Sequence, residues 1–196
     1  MTTIKQIREN SPIILNISNM VTPQHVADAI NFIGASPIMF DDIKEASDLV
    51  NISNALVINM GSSNDADVEK SIAAGNGDGD LYEIAETVAK KFDCIVLLSG
   101  VTDVISDGSK TVEVKNGHHY FAVNVGCGDM LDGILGACLA VDNSLDAAVL
   151  ASSILSIAGE IAGGITDNLP YSFLSTVFNT LYQLTDEDIT EFQKLG

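Results

Sequence analysis

Within residues 121–141, FAVNVGCGDMLDGILGACLAV, a glycine-rich turn, Gly126-Cys127-Gly128, is followed at once by Asp129. Met130, Leu131, Ile134, Leu135, Cys138 and Leu139 then recur at helical spacing with small Gly133, Gly136 and Ala137 between them. This spacing predicts a loop feeding the N-terminus of a buried helix. The free N–H groups and positive dipole end of such a terminus can hold an anion. Gly126 and Gly128 let the backbone approach that anion closely. A carboxylate in the same turn would repel a phosphate; it is better suited to taking a proton from a hydroxyl that attacks the phosphate. Asp is also a common helix-capping residue, and the turn alone leaves both roles open for Asp129.

The elements that must position this turn read as alternating strands and helices. Ile13 to Ile17 form a short apolar run that ends in Ser18 and Asn19, at the strand end where α/β folds usually present side chains to ligands. Thr22-Pro23 is a good N-cap and N1 pair, with Val26, Ala29, Ile30 and Ile33 at helical spacing and Gly34 as the stop. Residues 37–40 and 55–60 read as further strands, and 41–50 as an amphipathic helix between them. A short helix is expected over 65–74, then the acidic GNGDGD loop at 75–80, which lacks calcium-loop spacing and reads as a solvated linker. A helix over 81–92 leads to a strand over 94–98 ending in Ser99-Gly100. The stretch 101–115, with an Asp107-Gly108 turn, reads as a hairpin. Helices are expected over 145–162 and 171–184, with an acidic tail helix beyond. Repeated strand, polar loop and helix indicate a parallel sheet with helices on both faces. In a strand, adjacent His118 and His119 would point to opposite sides and could not share one metal ion. His25, on a helix, reads as an ordinary hydrogen-bonded histidine.

The 196 residues are enough for one sizeable core, and a single domain over 1–196 is expected. Apolar residues make up 46% and charged residues 18%, so the chain is globular rather than disordered. Its net charge of −18, with only nine Lys and Arg, argues against nucleic acid or an anionic membrane surface as a partner. Cys94, Cys127 and Cys138 lack CxxC spacing and read as reduced thiols of a cytoplasmic protein with no zinc site. The N-terminus has no signal-peptide core. Polar interruptions at Ser152, Ser153, Ser156 and Glu160 make the long apolar segment after residue 145 a core helix rather than a membrane span.

Several blocks together resemble the hydroxyethylthiazole kinase family. They are Asn16-Ile17-Ser18-Asn19-Met20-Val21, Ala27-Asp28-Ala29-Ile30, Ile33-Gly34-Ala35-Ser36-Pro37-Ile38-Met39 and Ala55-Leu56-Val57-Ile58-Asn59-Met60-Gly61. Further on come Val96-Leu97-Leu98-Ser99-Gly100-Val101-Thr102-Asp103-Val104, Asp107-Gly108 and Gly126-Cys127-Gly128-Asp129-Met130-Leu131. The glycine turn is shared with the wider ribokinase-like superfamily. The resemblance implies a ribokinase-like three-layer αβα sandwich with a mostly parallel sheet, and an ATP-dependent, Mg²⁺-requiring kinase. Its substrate would be the primary alcohol of hydroxyethylthiazole, in thiamine salvage. It also implies a homotrimer with active sites at subunit boundaries. Carried over by motif, Met39 and Gly126 match substrate-contacting positions, Asn19 lies near the thiazole, and Ser99 matches an ATP-binding Ser or Thr. Asp129 matches the catalytic position, with Gly126 and Gly128 framing the amides that hold the moving phosphoryl group.

The chain also departs from the family pattern. Many thiazole kinases carry Cys where this chain has Asp129, and usually Asn where it has Asp28. Between Ala74 and Leu81 the family would carry a strand with a DPVG-type motif, a helix, and a strand ending in a GNxSE-type motif. These supply an ATP-binding arginine and a carboxylate near Mg²⁺; here only GNGDGD stands, so the sheet should be narrower and no metal ligand is assigned. Asp78 or Asp80 could replace the lost carboxylate. Two alternatives stay open: another ribokinase-like small-alcohol kinase, or a catalytically inactive thiazole-binding homologue.

Overall fold

The computed structural model describes residues 2–17, 21–39, 43–59, 80–167 and 169–196. The expected helix over 65–74, most of the GNGDGD loop with Asp78, and Asn19 lie outside the described residues.

The first half is a β-α-β arrangement. Helix α1 (Ile4–Asn10) starts with a capping box from Thr3 and Gln6. Strand β1 (Ile13–Ile17) is central, paired in parallel with β2 (Ser36–Ile38) on one side and β3 (Ala55–Ile58) on the other. Helix α2 (Pro23–Phe32) connects β1 to β2, and α3 (Ala46–Ile52), entered through a 3₁₀ turn, connects β2 to β3. The expected Thr22 cap is not made: Thr22 stands at the N-cap position, but its side chain makes no cap hydrogen bond. Pro23 does occupy the first turn, where its missing N–H costs nothing.

The second half opens with α4 (Leu81–Phe92), capped by the Asp80 carboxylate on the Tyr82 N–H. An antiparallel sheet of β4 (Val96–Leu98), β5 (Asp103–Ser106) and β6 (Thr111–Val114) follows, as the hairpin reading expected. Helix α5 (Cys127–Val141) grows from the glycine turn, followed by α6 (Leu145–Thr166), α7 (Pro170–Gln183) and α8 (Asp186–Phe192). Thus one sheet is wholly parallel and the other antiparallel, with helices packed on both.

The main core joins α1, α2, α5, α6 and α7 to β1, with Ile14, Ile30, Met130, Ile134, Ile154, Ile157 and Phe173 fully buried. Each such large apolar side chain contributes about 1.5–3 kcal/mol when buried. Helix α6 is long and apolar enough to cross a bilayer by composition, yet 72% of its apolar window is buried inside the fold, as a core helix requires. Its serines turn inward: Ser153 bonds the Val149 carbonyl, and Ser152 reaches the Asp103 carboxyl.

His118 and His119 are not in a strand. His118 caps a 3₁₀ turn (His119–Val123) by accepting the Tyr120 N–H at Nδ1. The two rings lie 4.3 Å apart, and His118 stacks on Phe173 at 5.0 Å. The tightly packed Gly163 leaves room for the His118 ring. Among the described residues no group of three potential metal ligands occurs.

Candidate active site

Helix α5 packs closely on the parallel sheet through Gly136 and on α2 through Gly133. A β-carbon at Gly136 would stand 2.4 Å from Val57 Cγ2, and one at Gly133 would stand 2.9 Å from Ile30 Cγ1. This close approach brings the first turns of α5 to the C-terminal ends of β1 and β3. Gly126, the N-cap residue, has φ +94°, and a β-carbon there would come within 2.5 Å of Thr22 Cγ2. Glycine is therefore required twice over, by backbone conformation and by Thr22 packing beneath it.

The Thr22 hydroxyl donates to Asp129 Oδ2. Asn59, just past β3, donates from Nδ2 to Asp129 Oδ1 and to Asp132 Oδ2, both at 2.7 Å. Asp129 is thus held on both oxygens, in a first turn whose positive dipole end favours its charge. Burial pushes the Asp132 carboxyl above the ordinary carboxylate range; the Asn59 bond opposes this and the neighbouring Asp129 charge adds to it. Burial, with Asp129 adding, pushes the Cys127 thiol up to about 11, so it is no thiolate at neutral pH. Two register positions below Asn59, Asn16 pairs with Val57 on the face that α5 covers. It is 3% exposed, and its Nδ2 has no hydrogen-bond partner among the described residues.

On the other side of the same turn is a cavity of about 550 Å³, lined by Ser99, Gly100, Asp103, His119, Cys127 and Gly128 among others. Ser99 reaches it from the end of β4. Gly128 is exposed, with nothing within 4 Å of where a β-carbon would stand, so its backbone is open to a ligand. Asp103 holds the turn after β4: its Oδ1 accepts the Gly100 N–H at 2.9 Å and its Oδ2 accepts the Ser152 hydroxyl at 2.7 Å. Burial pushes His118, which also lines the cavity, below its usual range, and His119 beside it adds to this.

The structure therefore brings together Ser99, Gly126, Gly128 and Asp129 from the sequence reading. Met39 follows β2, partly buried against the main core, and does not line this cavity. Asn59 and Asp132 were missed as site residues. Asn59 lies in a block that resembles the family, and Asp132 falls one residue before Gly133 in the helical pattern; a polar residue closing an apolar strand is the available signal for Asn59.

A family model described as the hydroxyethylthiazole kinase family matches residues 4–82 and 69–187. The chain belongs to the hydroxyethylthiazole kinase family. A hydroxyethylthiazole kinase of Pediococcus pentosaceus is 34% identical over 258 aligned positions, covering 98% of this chain and 97% of that protein. One from Latilactobacillus sakei is 32% identical, covering 96% and 94%. In fold, the chain matches the structure of a hydroxyethylthiazole kinase protein from Pyrococcus horikoshii with TM-score 0.87 at 24% identity, over 98% of this chain and 96% of that one. A ribokinase-like superfamily protein from Enterococcus faecalis matches with TM-score 0.62 at 12% identity, over 90% and 88%. The fold is ribokinase-like, and the chain is an enzyme of this kinase family. An alignment of 258 positions cannot be filled by 196 residues, so at least 62 positions have no counterpart here. The two matched segments meet at residues 69–82, where the sequence shows the shortened centre.

Proposed function

We propose that this kinase transfers the terminal phosphoryl group of ATP to the primary alcohol of hydroxyethylthiazole, with Asp129 as general base. The observation that carries the reading is the two-sided N-terminus of α5: the ATP-sized cavity with Ser99 and open Gly128 on one side, and the anchored Asp129 carboxylate on the other. A phosphoryl group placed at the amides of Gly126 to Asp129 would meet the dipole end of α5. As the alcohol oxygen forms its bond to phosphorus, Asp129 takes the hydroxyl proton, and the bond to the bridging oxygen breaks to release ADP. Met39, Gly126 and Asn19 are the proposed thiazole contacts, and Ser99 the ATP contact. Thr22 and Asn59 keep the base aimed.

Magnesium, arriving with ATP, would neutralise phosphate charge. Among the described residues no group of three potential ligands occurs, and no residue is assigned to the metal. We place the enzyme in the cytoplasm, acting on free metabolites, with neither nucleic acid nor membrane as partner. The homotrimer that the family resemblance implies needs a subunit contact, and exposed Val123, Val125, Leu169 and Tyr171, which flank the hydrogen bond from Asn124 to the Pro170 carbonyl, suit one.

A second reading, a thiazole-binding relative without turnover, is favoured by the at least 62 unmatched positions. ADP release with Mg·ATP, with and without hydroxyethylthiazole, separates the two. Thiazole-dependent turnover that falls about 10²–10⁴-fold in Asp129→Asn supports the kinase. Thermal stabilisation by the thiazole without turnover selects the second reading, and neither effect would dismiss the substrate and turn attention to other small alcohols.

A further inference from the structure

One amide nitrogen, Asn59 Nδ2, donates both its hydrogens to carboxylates, one to Asp129 and one to Asp132, at 2.7 Å each. The two accepting oxygens therefore lie within about 5 Å of each other. Asp129 has a further donor in Thr22 and sits in the first turn of α5, whose dipole favours a negative charge. Asp132, one turn further in, has neither advantage. Two carboxylates this close in a partly buried setting do not both ionise at the ordinary pH, and the one with fewer donors keeps the proton.

We propose that Asp129, Asn59 and Asp132 form a carboxylate–amide–carboxylate unit in which Asp132 keeps a proton while Asp129 carries the charge, so that only one negative charge faces the incoming phosphoryl group. This rests on the reading of Asp129 as the base. Asn59 is a positioning residue, and Asp132 acts through it and through its charge. The raised titration of Asp132 agrees with this arrangement.

Other ionisable groups on elements packed against α5 are His25 and Asp28 on α2, Lys5, Arg8 and Glu9 on α1, and Asp146 and Glu160 on α6; β1 and β3 bring none. Arg8 is bonded to the Leu181 and Tyr182 carbonyls, Glu160 to Lys194 and Asn116, and Lys5 lies near Glu9. Cys127 and Cys138 on α5 itself stay protonated, both thiols pushed up by burial.

The sign follows. Below the Asp132 titration the site carries one charge; above it, the second charge opposes the phosphates. Nucleotide affinity should therefore weaken by about tenfold as the pH rises through that titration, and Asp132→Asn should abolish the decline. The test is a carboxyl ¹³C titration of aspartate-labelled protein, paired with binding of a non-hydrolysable ATP analogue across the same pH range. In the native protein one aspartate should titrate well above the ordinary range. That resonance should vanish in Asp132→Asn and return toward ordinary in Asp129→Asn. Ordinary titration of every aspartate, or a high-titrating aspartate that survives Asp132→Asn, would overturn the proposal. A pH-dependent loss of affinity equal in native protein and Asp132→Asn would do the same. Turnover of Asp129→Asn is read separately: unimpaired turnover beside the expected titration removes the base role but not the unit, whereas lost turnover with ordinary titrations removes the unit alone.

Discussion

Asp103 shows how much of a candidate ligand site can rest on the hydrogen bonds of one buried carboxyl. Its buried carboxyl links the Gly100 N–H to the Ser152 hydroxyl of α6, tying the turn after β4 to the core. Asp103→Ala leaves the buried Ser152 donor without its acceptor, at a cost of about 1–3 kcal/mol, while the exposed Gly100 N–H turns to water and its turn loses its tie to the core. Asp103→Asn keeps one oxygen for Gly100, and Ser152 can turn to accept from the new amide. We expect Asp103→Ala to lower the melting temperature and weaken nucleotide binding while thiazole binding is kept, with Asp103→Asn close to native. Calorimetric titration with each ligand checks this; equal loss of both ligands would mean general unfolding instead. The glycine turn made Gly126, Gly128 and Asp129 legible as candidates in the sequence, while Ser99 was singled out only by the family resemblance. Asn59 and Asp132 were not, because their contact spans 73 positions and only the fold closes it. Thr22 was read as a cap by its place before Pro23, yet its hydroxyl is drawn to Asp129, a partner that local reasoning does not see.

At the scale of elements, three of the four glycines at the N-cap and along α5 divide structure from function. Gly136 is buried against Val57, and Gly126 has a positive φ over Thr22, while Gly128 faces open space. Gly136→Ala should cost about 1–3 kcal/mol of stability, through overpacking of α5 against β3, and leave the nucleotide contact intact if the fold is rescued by low temperature. Gly128→Ala should change stability by no more than about 0.5 kcal/mol, yet weaken nucleotide binding by adding a methyl where a phosphate would approach. Denaturant unfolding beside nucleotide titration distinguishes them, and a Gly128→Ala protein with native affinity would move the phosphate away from this turn. The elements themselves were legible where periodicity was strong: β1, α2, β3, α4, the β5–β6 hairpin and α5 to α7 all stand near their expected places. His118 and His119 stand at a 3₁₀ turn rather than in a strand because Phe173 and Gly163, which pack the His118 ring, lie some 45–55 residues downstream.

The whole molecule sets a further constraint on any nucleotide. The protein has a net charge of −18, and ATP is itself a polyanion. Among the described residues lining the cavity, Lys115 is the one Lys or Arg, and it is already paired with Glu113 at 3.2 Å. Attraction at the α5 terminus is short-ranged, fading within about a helical turn, whereas repulsion from the whole acidic surface acts over the Debye length, about 10 Å at 0.1 M salt. Salt therefore removes the long-range opposition before it weakens the local hold. Raising KCl from about 20 to about 200 mM at constant free Mg²⁺ should increase the association rate of ATP by about two- to fivefold. A site built on a basic patch responds in the opposite direction. Stopped-flow binding of a fluorescent ATP analogue measures the sign directly. A rate that falls with salt would mean that cationic groups outside the described residues dominate the approach, and that the amides of Gly126 to Asp129 are not what draws the phosphates in.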